Sequence, residues 1–409
     1  MPSISVTNLF NFSRMKATFS EAAEYNNFNV AGVVLMPDLR YKPVCSNCGG
    51  KNGSVHSVRS RIVRDIPLGI FKKPRINFTY RLVKCSDCKG INTEKTSVAD
   101  IGGPRVTSRF SRYIKELCSI MTIQEVANHL ELDWKTVKNI DKDGLLLEYR
   151  KTDYTGLRLL AVDEIAYAKH HKYLTIVIDY ETGRVVWTGE GRSKETLLEF
   201  FNQMPSSVKN KIEAIAMDMW KPFIQAVREG CPNAVIVYDF FHIVANYNDV
   251  ITRVRRKEYN KASKEDKSVI KGSRWILLKN PENLKEKDKP RLNDLLNANE
   301  SLAKVYILKD ELKTIWTHTD RESMALALEN WCKLALEANL PDLNKFVKML
   351  INHKEGILNH ASYPIHTSKL EGINNKIKVL KRQSYGFHDL EYFSLKIKQR
   401  CQGTKKPIN

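Results

Sequence analysis

The sequence predicts a multidomain α/β fold, and three observations lead to that prediction. Two Cys-x-x-Cys pairs flank an alternating strand pattern near the N-terminus. A pair of helical patterns follows over residues 105–145. From about residue 157, strand patterns come first in succession and then in alternation with helices, and a long helical stretch precedes a last polar helix. A chain of 409 residues is long enough to form more than one hydrophobic core.

The composition favours a polyanionic partner. The formal net charge is +20 and the pI is about 9.5, which is typical of a protein that binds nucleic acid. A basic protein without such a partner is the alternative. We expect neither a membrane span nor a signal peptide, because the sequence lacks a run of about 18 apolar residues and a basic region before an apolar one. Four of the eight cysteines are scattered, which suits a reducing compartment.

Residues 41–95 predict a zinc ribbon. Their cysteines form the pairs Cys45/Cys48 and Cys85/Cys88, each with glycine one or two residues later. A two-residue gap lets both sulfurs of a tight turn face one tetrahedral zinc ion, and glycine lets the backbone fold back. Four buried free thiols are the alternative. The basic side chains expected to contact phosphates in this segment are Arg59, Arg61, Arg64, Lys72, Lys73 and Arg75.

Residues 105–145 predict a helix-turn-helix domain. Thr122 and Glu125 form a capping-box pattern at the start of its first paired helix. The turn contains Glu131 where such motifs usually have glycine, which predicts some backbone strain. An ordinary helical hairpin is the alternative. The second helix would present to the major groove the residues Trp134, Lys135, Thr136, Lys138 and Asn139.

The order of elements in residues 155–258 predicts a ribonuclease-H-like core. The patterns are strands at 158–163, 173–179 and 184–190, a helix at 193–204, a strand at 212–218, a helix at 220–229 and a strand at 234–239. Hairpin turns near His170 and at 181–184 predict that the first three strands pair antiparallel. Asp163 would then lie on the central strand, and Asp218 at the end of a neighbouring one.

The two aspartates are candidate ligands of a pair of metal ions. Carboxylates at adjacent strand ends are close enough to share two Mg²⁺ (or Mn²⁺) ions roughly 3.5–4 Å apart, which activate a water or 3′-hydroxyl and stabilise the leaving oxygen. An aspartate after a strand is more often a turn former or a helix cap. The presence of a third acid, Glu371, in residues 361–400 is what favours a catalytic role for Asp163 and Asp218.

Two further predictions concern residues around this centre. Glu371 lies three residues after Ser368, so a capping box is the alternative to a catalytic role. Asp239 and His242 are predicted to support the metal site or orient a phosphate, with a helix cap as the alternative. The polar residues near Glu371 that are predicted to face DNA are Asn374, Asn375, Lys376, Lys378, Lys381 and Arg382.

The remaining segments carry less specific patterns. Residues 259–360 are charged and helical, and they predict an all-helical insertion between the fifth strand and the Glu371 helix. Core packing is the predicted role of its tryptophans, Trp275, Trp316 and Trp331. Residues 1–40 and 401–409 are an N-terminal segment and a tail.

Over nearly its whole length the chain resembles the ISL-three family of bacterial insertion-sequence transposases. Besides the paired cysteines and the helix-turn-helix, the motifs that resemble the family are Val162–Glu164, His171–Thr175, Glu190–Arg192, Met217–Trp220, Pro232–Ala234, Asp239–His242 and Glu371–Lys378. The resemblance implies a DDE triad of Asp163, Asp218 and Glu371, and a DNA contact by Arg192. It also implies that the N-terminal domains bind terminal inverted repeats, and that the protein acts in the bacterial cytoplasm, at the nucleoid.

The sequence therefore predicts a DNA transposase that cuts the ends of its element and joins them to target DNA. It should act at least as a homodimer, because two ends must be processed together. A non-catalytic DNA-binding protein is the first alternative, and the acid triad disfavours it. A structure-selective nuclease of the same fold, which cuts without strand transfer, is the second. RNA binding is a third and weaker alternative, because the sequence lacks the aromatic pattern of common RNA-binding modules.

Overall fold

The computed structural model describes residues 9–19, 32–68, 72–168, 172–365 and 368–404. The chain divides into an N-terminal unit, Met1–Arg150, and a C-terminal unit, Lys151–Asn409. Each unit combines a sheet with helices, so the predicted mixed α/β architecture is confirmed. Within the described ranges, none of the helices has the length and apolar character needed to cross a membrane.

The N-terminal unit begins with a sheet of order β1-β2-β4-β3, to which β5 is added beside β4. The strands are β1 (Met15–Phe19), β2 (Gly32–Pro37), β3 (Gly53–Arg64), β4 (Arg75–Cys85) and β5 (Ile91–Thr93). The long antiparallel hairpin of β3 and β4 matches the alternating pattern between the cysteine pairs. Alternate residues of β4, such as Ile76 and Phe78, are buried against Phe10 and Leu35, as the period of a strand requires.

Three helices complete this unit and form the predicted helix-turn-helix. They are α1 (Ser108–Ile120), α2 (Ile123–Leu130) and α3 (Trp134–Tyr149). The capping box is confirmed, because the Thr122 side chain accepts from the Glu125 N–H and the Glu125 carboxylate accepts from the Thr122 N–H. Glu131 has a φ of 52°, so a non-glycine residue does adopt the left-handed conformation at the turn. The buried residues between the helices include Phe110, Ile114, Val126, Ala127, Val137 and Ile140.

Two of the basic residues that the sequence assigned to phosphate contact donate hydrogen bonds to the protein's own backbone. Arg64 donates to the carbonyls of Leu130 and Glu131 in the helix-turn-helix turn. Arg61 donates to the Gly103 carbonyl at 2.7 Å and also to that of Ile101. These guanidinium groups satisfy helix-terminal and loop carbonyls, which attaches the hairpin to the helices within the N-terminal unit. Arg61 and Arg64 therefore have a structural role, and their contact with phosphates stays a prediction.

A buried carboxylate joins the hairpin to α1. Asp65 directly follows β3 and is fully buried. The Thr107 hydroxyl, which also caps α1, donates to Asp65 at 2.6 Å, and Arg109 forms an ion pair with it. Removal of one partner from a buried, hydrogen-bonded charge leaves the others without compensation.

Asp65→Ala is therefore expected to destabilise the N-terminal unit by about 2–3 kcal/mol. Urea unfolding monitored by circular dichroism measures this loss. The N-terminal unit should unfold at a lower urea concentration than in the wild type. Glu116→Ala removes an exposed acid from α1 and serves as the control, with an expected change below about 0.5 kcal/mol. Equal midpoints for the two variants would contradict a stabilising role of Asp65.

The C-terminal unit is built on a five-stranded sheet of order β10-β9-β6-β7-β8. The strands are β6 (Leu159–Ala168), β7 (Lys172–Asp179), β8 (Arg184–Glu190), β9 (Ala214–Met217) and β10 (Val235–Tyr238). β6, β7 and β8 pair antiparallel, whereas β9 and β10 run parallel to β6. The predicted turn at 181–184 joins β7 to β8, and the one near His170 lies outside the described residues. The prediction that the first strand ends at Asp163 is wrong, because its pairing with β7 continues to Ala168.

Helices cover both faces of this sheet and also fill the region between β10 and α15. The helices of the C-terminal unit are α4 (Lys194–Gln203), α5 (Ser206–Lys209), α6 (Lys221–Gly230), α7 (Phe240–Lys261), α8 (Lys264–Ile270), α9 (Arg274–Leu278), α10 (Lys289–Ala298), α11 (Glu300–Thr314), α12 (Arg321–Glu337), α13 (Pro341–Asn352), α14 (Lys354–Leu358), α15 (Ser368–Gln383) and α16 (Leu390–Arg400). One face packs α4 and α6 over Leu160, Val162 and Met217. The opposite face packs α15 and α16 over residues such as Ala161 and Ala216.

The three tryptophans of the region between β10 and α15 differ in their surroundings. Trp331 is 3% exposed and Trp316 is partly buried, which agrees with the predicted core packing. Trp275 is 65% exposed, so the prediction of core packing is wrong for this residue. The reason is local, because α9 buries its apolar side through Ile276 and Leu277 and turns Trp275 outward.

Candidate active site

Three aspartates lie level with one another across neighbouring strands of the C-terminal sheet. The last paired residues of the parallel strands β6 and β9 are Ala161 and Ala216. Asp163 and Asp218 each follow two residues later, so they are level with each other. The last paired residues of β9 and β10 are Met217 and Tyr238, and Asp218 and Asp239 directly follow them at the same level. The parallel register of the sheet therefore brings carboxylates that are far apart in sequence to a single edge.

The same register assigns these aspartates to one face of the sheet. Side chains along a strand alternate between faces, so Asp163, Asp218 and Asp239 share the face of the residues two positions before them. Those residues are Ala161, Ala216 and Val237, and all three are buried beneath α15. The apolar side of α15 covers them with Leu370, Ile373, Ile377 and Leu380. Packing of α15 thus brings its polar residues to the aspartates.

Asn374 of α15 makes the direct contact. Its Nδ2 donates to Asp163 Oδ2 at 2.6 Å, while the Glu164 N–H donates to Asp163 Oδ1 at 2.8 Å. Asn374 Oδ1 is buried and has no hydrogen-bond partner among the described residues. The contact joins Asn374 to a candidate metal ligand, and the prediction that Asn374 faces DNA stays a prediction. A buried amide oxygen beside carboxylates is an oxygen donor of the type that Mg²⁺ accepts.

The electrostatics of the cluster favour a bound cation. Burial raises the pKa of both Asp163 and Asp218, and the charge of Asp239 raises both further, whereas His242 opposes the shift. Burial, followed by the charges of Asp218 and Asp163, raises the pKa of Glu164 to about 7. Clustered carboxylates disfavour each other's ionised form, and a divalent cation reverses that effect. The donor set and its charge therefore fit a hard divalent metal.

Asp239 both caps a helix and belongs to the acid cluster. It is 1% exposed, and its Oδ1 accepts from the Phe241 N–H at 3.1 Å at the start of α7. His242 Nε2 lies 3.7 Å from Asp239 Oδ2. The helix cap that the sequence left as an alternative is thus present, together with the proximity to Asp163 and Asp218 on which a supporting role depends.

Glu371 does not close the acid cluster in this structure. It lies in the first turn of α15, three residues before Asn374, and its side chain is exposed. Among the described residues, the four paired cysteines are the one group of three or more possible metal ligands within 4.8 Å of each other. By this measure neither Asp163, Asp218 and Glu371 nor Asp163, Asp218 and Asp239 have three carboxylates all within 4.8 Å of one another. Of the neighbouring basic residues, Lys376, Lys378 and Arg382 are exposed, and Lys381 donates to the Ala166 carbonyl.

Arg192 is held at the edge of the acid cluster by two aromatic rings. Its guanidinium carbon lies 4.1 Å from the ring centre of Tyr173 and 4.9 Å from that of Trp220. The Trp220 indole N–H donates to the Arg192 carbonyl at 3.1 Å, and the Trp220 backbone N–H donates to Asp218. Glu164, which the sequence analysis did not assign, forms an ion pair with Arg192 at 3.6 Å. The signal for Glu164 was its position beside Asp163 in an otherwise apolar strand.

The four paired cysteines form a second candidate metal centre. Cys45 Sγ lies 3.8 Å from Cys88 Sγ, and Cys48 Sγ lies 3.6 Å from Cys85 Sγ. Tetrahedral Zn–S bonds of about 2.3 Å require sulfur–sulfur distances of about 3.8 Å, so the cluster is compatible with structural zinc. The backbone N–H of Cys48 lowers the pKa of the Cys45 thiol to about 7, whereas the Cys85 side chain and burial raise that of Cys48 to about 12, so the thiols of the cluster do not ionise alike.

The two cysteine turns differ in one detail from the prediction. Gly49 has a φ of 73° in the first turn, as the sequence suggested, but the left-handed residue of the second turn is Lys89, with a φ of 54°, rather than Gly90. Both turns are nevertheless closed by the same kind of backbone hydrogen bond. The Cys45 N–H donates to the Gly50 carbonyl, and the Cys85 N–H donates to the Gly90 carbonyl.

The helix-turn-helix presents an open polar surface. Asp133 caps α3 by accepting from the N–H groups of Lys135 and Thr136. Of the predicted DNA-facing residues, Trp134, Lys135 and Asn139 are exposed, while Thr136 and Lys138 are half-buried. The start of α3, with its exposed N-terminal turn, has the geometry with which such helices enter the major groove.

Comparison with known proteins agrees with both regions. The family profile of the ISL3 DDE group, described as Transposase, matches residues 160–397. The profile described as Helix-turn-helix domain of transposase family ISL3 matches residues 103–144.

Two relatives indicate the extent of the similarity. The transposase for insertion sequence element IS1001 of Bordetella parapertussis is 38% identical over 367 residues, which are 89% of this chain and 90% of the relative. The transposase for insertion sequence element IS1557 of Mycobacterium tuberculosis is 28% identical over 294 residues, 66% of this chain and 65% of the relative. The chain belongs to the ISL3 family of transposases.

Proposed function

We propose that this transposase binds the terminal inverted repeats of its insertion sequence, cuts the DNA at those ends and joins the freed 3′-hydroxyl groups to target DNA. The level placement of Asp163, Asp218 and Asp239 at one edge of the sheet is the observation that carries the proposal. The strand order, with three antiparallel strands followed by two parallel ones, supports a ribonuclease-H-like core. We expect the active form to be at least a homodimer in the bacterial cytoplasm, at the nucleoid.

Asp163, Asp218 and Glu371 would hold two Mg²⁺ or Mn²⁺ ions. When bound, such ions activate the attacking water or 3′-hydroxyl and stabilise the leaving oxygen. Asp163 is already oriented by Asn374 Nδ2 and the Glu164 N–H, so it would enter coordination with little loss of side-chain freedom. Glu371 would supply its carboxylate from α15, whose packing keeps it one turn from Asn374.

Arg192 would bind the DNA phosphate at this centre. Its guanidinium is fixed between Tyr173 and Trp220, and 38% of its side chain stays exposed. A guanidinium forms charge-assisted, bidentate hydrogen bonds with phosphate, and a fixed one loses less entropy on binding. The ion pair between Arg192 Nη1 and Glu164 Oε1 has a distance of 3.6 Å, which is longer than a hydrogen bond. It is therefore weak enough for a phosphate to replace Glu164.

The function is tested with a supercoiled plasmid that carries both ends of the element, in the presence of Mg²⁺. We expect cleavage at the ends and, with a second plasmid as target, joined products. Binding without cutting would favour the non-catalytic DNA-binding protein. Cutting without joining would favour the structure-selective nuclease.

We also propose that the cysteine cluster holds a structural zinc ion and that the ribbon helps to bind the element ends. Cys45→Ser removes one of two buried thiolates, so zinc content is expected to fall from about one ion per chain to nearly none. End binding should weaken in the same variant, while the unfolding of the C-terminal unit stays unchanged. Zinc content is measured by atomic absorption, with Cys332→Ala, a buried cysteine of α12, as the control. Normal zinc content in Cys45→Ser would refute the zinc ribbon.

A further inference from the structure

An exposed tryptophan and a group of arginines lie together in the region between β10 and α15. Trp275, on α9, is 65% exposed, and the guanidinium carbon of Arg274 lies 4.9 Å from its ring centre. Arg255 of α7 is close enough to Arg256 and to Arg274 for the charge of each to act on its guanidinium. This surface belongs to neither the acid cluster nor the helix-turn-helix.

Arg255 lies in an unfavourable environment on this surface. The pKa of Arg255 is lowered by burial first and then by the charges of Arg256 and Arg274, and the group that opposes this is the phenol of Tyr259. The Nε of Arg255 is buried and has no hydrogen-bond partner among the described residues. A half-buried guanidinium beside like charges costs free energy that an anion at this position would recover.

Further positive charge extends the surface. Lys271 is exposed in the turn between α8 and α9, where Gly272 has a φ of 73°. Arg291 of α10 donates to the Lys271 carbonyl, which fixes the turn, and the ammonium of Lys267 lies 5.8 Å from the ring centre of Tyr259. We define the α7–α9 basic surface by six residues, namely Arg255, Arg256, Lys267, Lys271, Arg274 and Trp275.

We propose that the α7–α9 basic surface binds the phosphate backbone of duplex DNA, at a place separate from the DNA recognised by the helix-turn-helix. Clustered Arg and Lys gain affinity for DNA by displacing condensed counterions, without reading sequence. Trp275 would pack against a deoxyribose between two phosphates. The guanidinium of Arg274, which lies over the ring of Trp275, would bind a neighbouring phosphate. An acidic protein segment would offer fewer and less regular charges than the backbone of the DNA that an ISL3 transposase handles. The proposal does not depend on the metal centre.

The test uses the full chain without added divalent ions and a labelled duplex of unrelated sequence. Binding is measured by fluorescence anisotropy over a series of salt concentrations. For the double variant Arg256→Ala/Arg274→Ala, the slope of log K against log [salt] is expected to shrink by about 1.8, because each lost phosphate contact contributes about 0.9. The double variant Lys345→Ala/Lys348→Ala removes the same charge from exposed positions of α13 and should keep the wild-type slope.

A third variant separates the aromatic contribution from the charge. Trp275→Ala is expected to weaken binding of the same duplex without a change of slope, and Trp275→Phe should retain most of the affinity. Circular dichroism must show that each variant keeps the wild-type helical content. A wild-type slope in the Arg256→Ala/Arg274→Ala protein, or equal slopes in the two double variants, would overturn the proposal. Because cleavage is not measured, this outcome is independent of whether Asp163, Asp218 and Glu371 form the metal site.

Discussion

Asp163→Ala and Asp218→Ala are each expected to abolish cleavage at the element ends, with a loss of about 10³-fold or more. A ligand shared by two metal ions supplies several kcal/mol of transition-state stabilisation, and each 1.4 kcal/mol corresponds to a factor of ten in rate. Binding of the ends should remain close to wild type, because both residues lie in the C-terminal unit and the predicted recognition helix α3 lies in the N-terminal one. The measurement is a plasmid cleavage assay beside a gel-shift assay with the same DNA.

Stability provides an internal check on the Asp218→Ala result. Burial and neighbouring carboxylates raise the pKa of Asp218, so in the metal-free protein its ionised form opposes folding at pH values above its folded-state pKa. Its removal should therefore leave the melting temperature at neutral pH unchanged or slightly higher. Loss of cleavage without loss of stability is the pattern expected of a functional carboxylate.

The matched control for both aspartates is Glu213→Ala. Glu213 directly precedes β9, at the opposite end of the strand from Asp218, and it pairs with Arg158 on the surface. Its removal should cost less than about 1 kcal/mol of stability and leave cleavage intact. Normal cleavage by Asp163→Ala or Asp218→Ala would end the assignment of the metal site to this edge of the sheet.

Glu371→Gln is expected to have the second-largest effect, a loss of cleavage of about 10²–10³-fold with binding of the ends preserved. Glutamine keeps the size of the side chain and its ability to accept a hydrogen bond at a helix N-terminus, but it lacks the charge that a metal ligand requires. The substitution therefore separates catalysis from capping, the two roles that the Ser368-x-x-Glu371 pattern leaves open.

The exposed position of Glu371 makes this variant informative about assembly of the site. Since its carboxylate does not yet share a 4.8 Å cluster with both aspartates, we expect Mn²⁺ titration with end DNA present to show weaker binding by Glu371→Gln than by wild type. Glu391→Gln, a first-turn acid of α16, controls for the general effect of a negative charge at a helix start. Full activity of Glu371→Gln, with unchanged Mn²⁺ affinity, would favour the capping role.

Short-range patterns in the sequence predicted two local features correctly. The spacing of Cys45, Cys48, Cys85 and Cys88 predicted the four-sulfur cluster, because a tight turn places both sulfurs of a pair on one side. Thr122 and Glu125 predicted the capping box, since the hydrogen bonds of a helix start involve residues three apart. The capping box and each cysteine turn depend on neighbours in the chain, whereas the pairing of β3 with β4 brings the two turns together.

The sequence by itself therefore determined the family, the helix-turn-helix and the cysteine cluster. Only the tertiary structure decided that Asp239 stands level with Asp163 and Asp218, that Asn374 binds Asp163 and that Arg192 lies between Tyr173 and Trp220. It also decided that Trp275 is exposed although an indole most often packs in a core. The physical reason is that strand register and helix packing join residues distant in sequence, and the energy of those contacts depends on the whole core rather than on any local pattern.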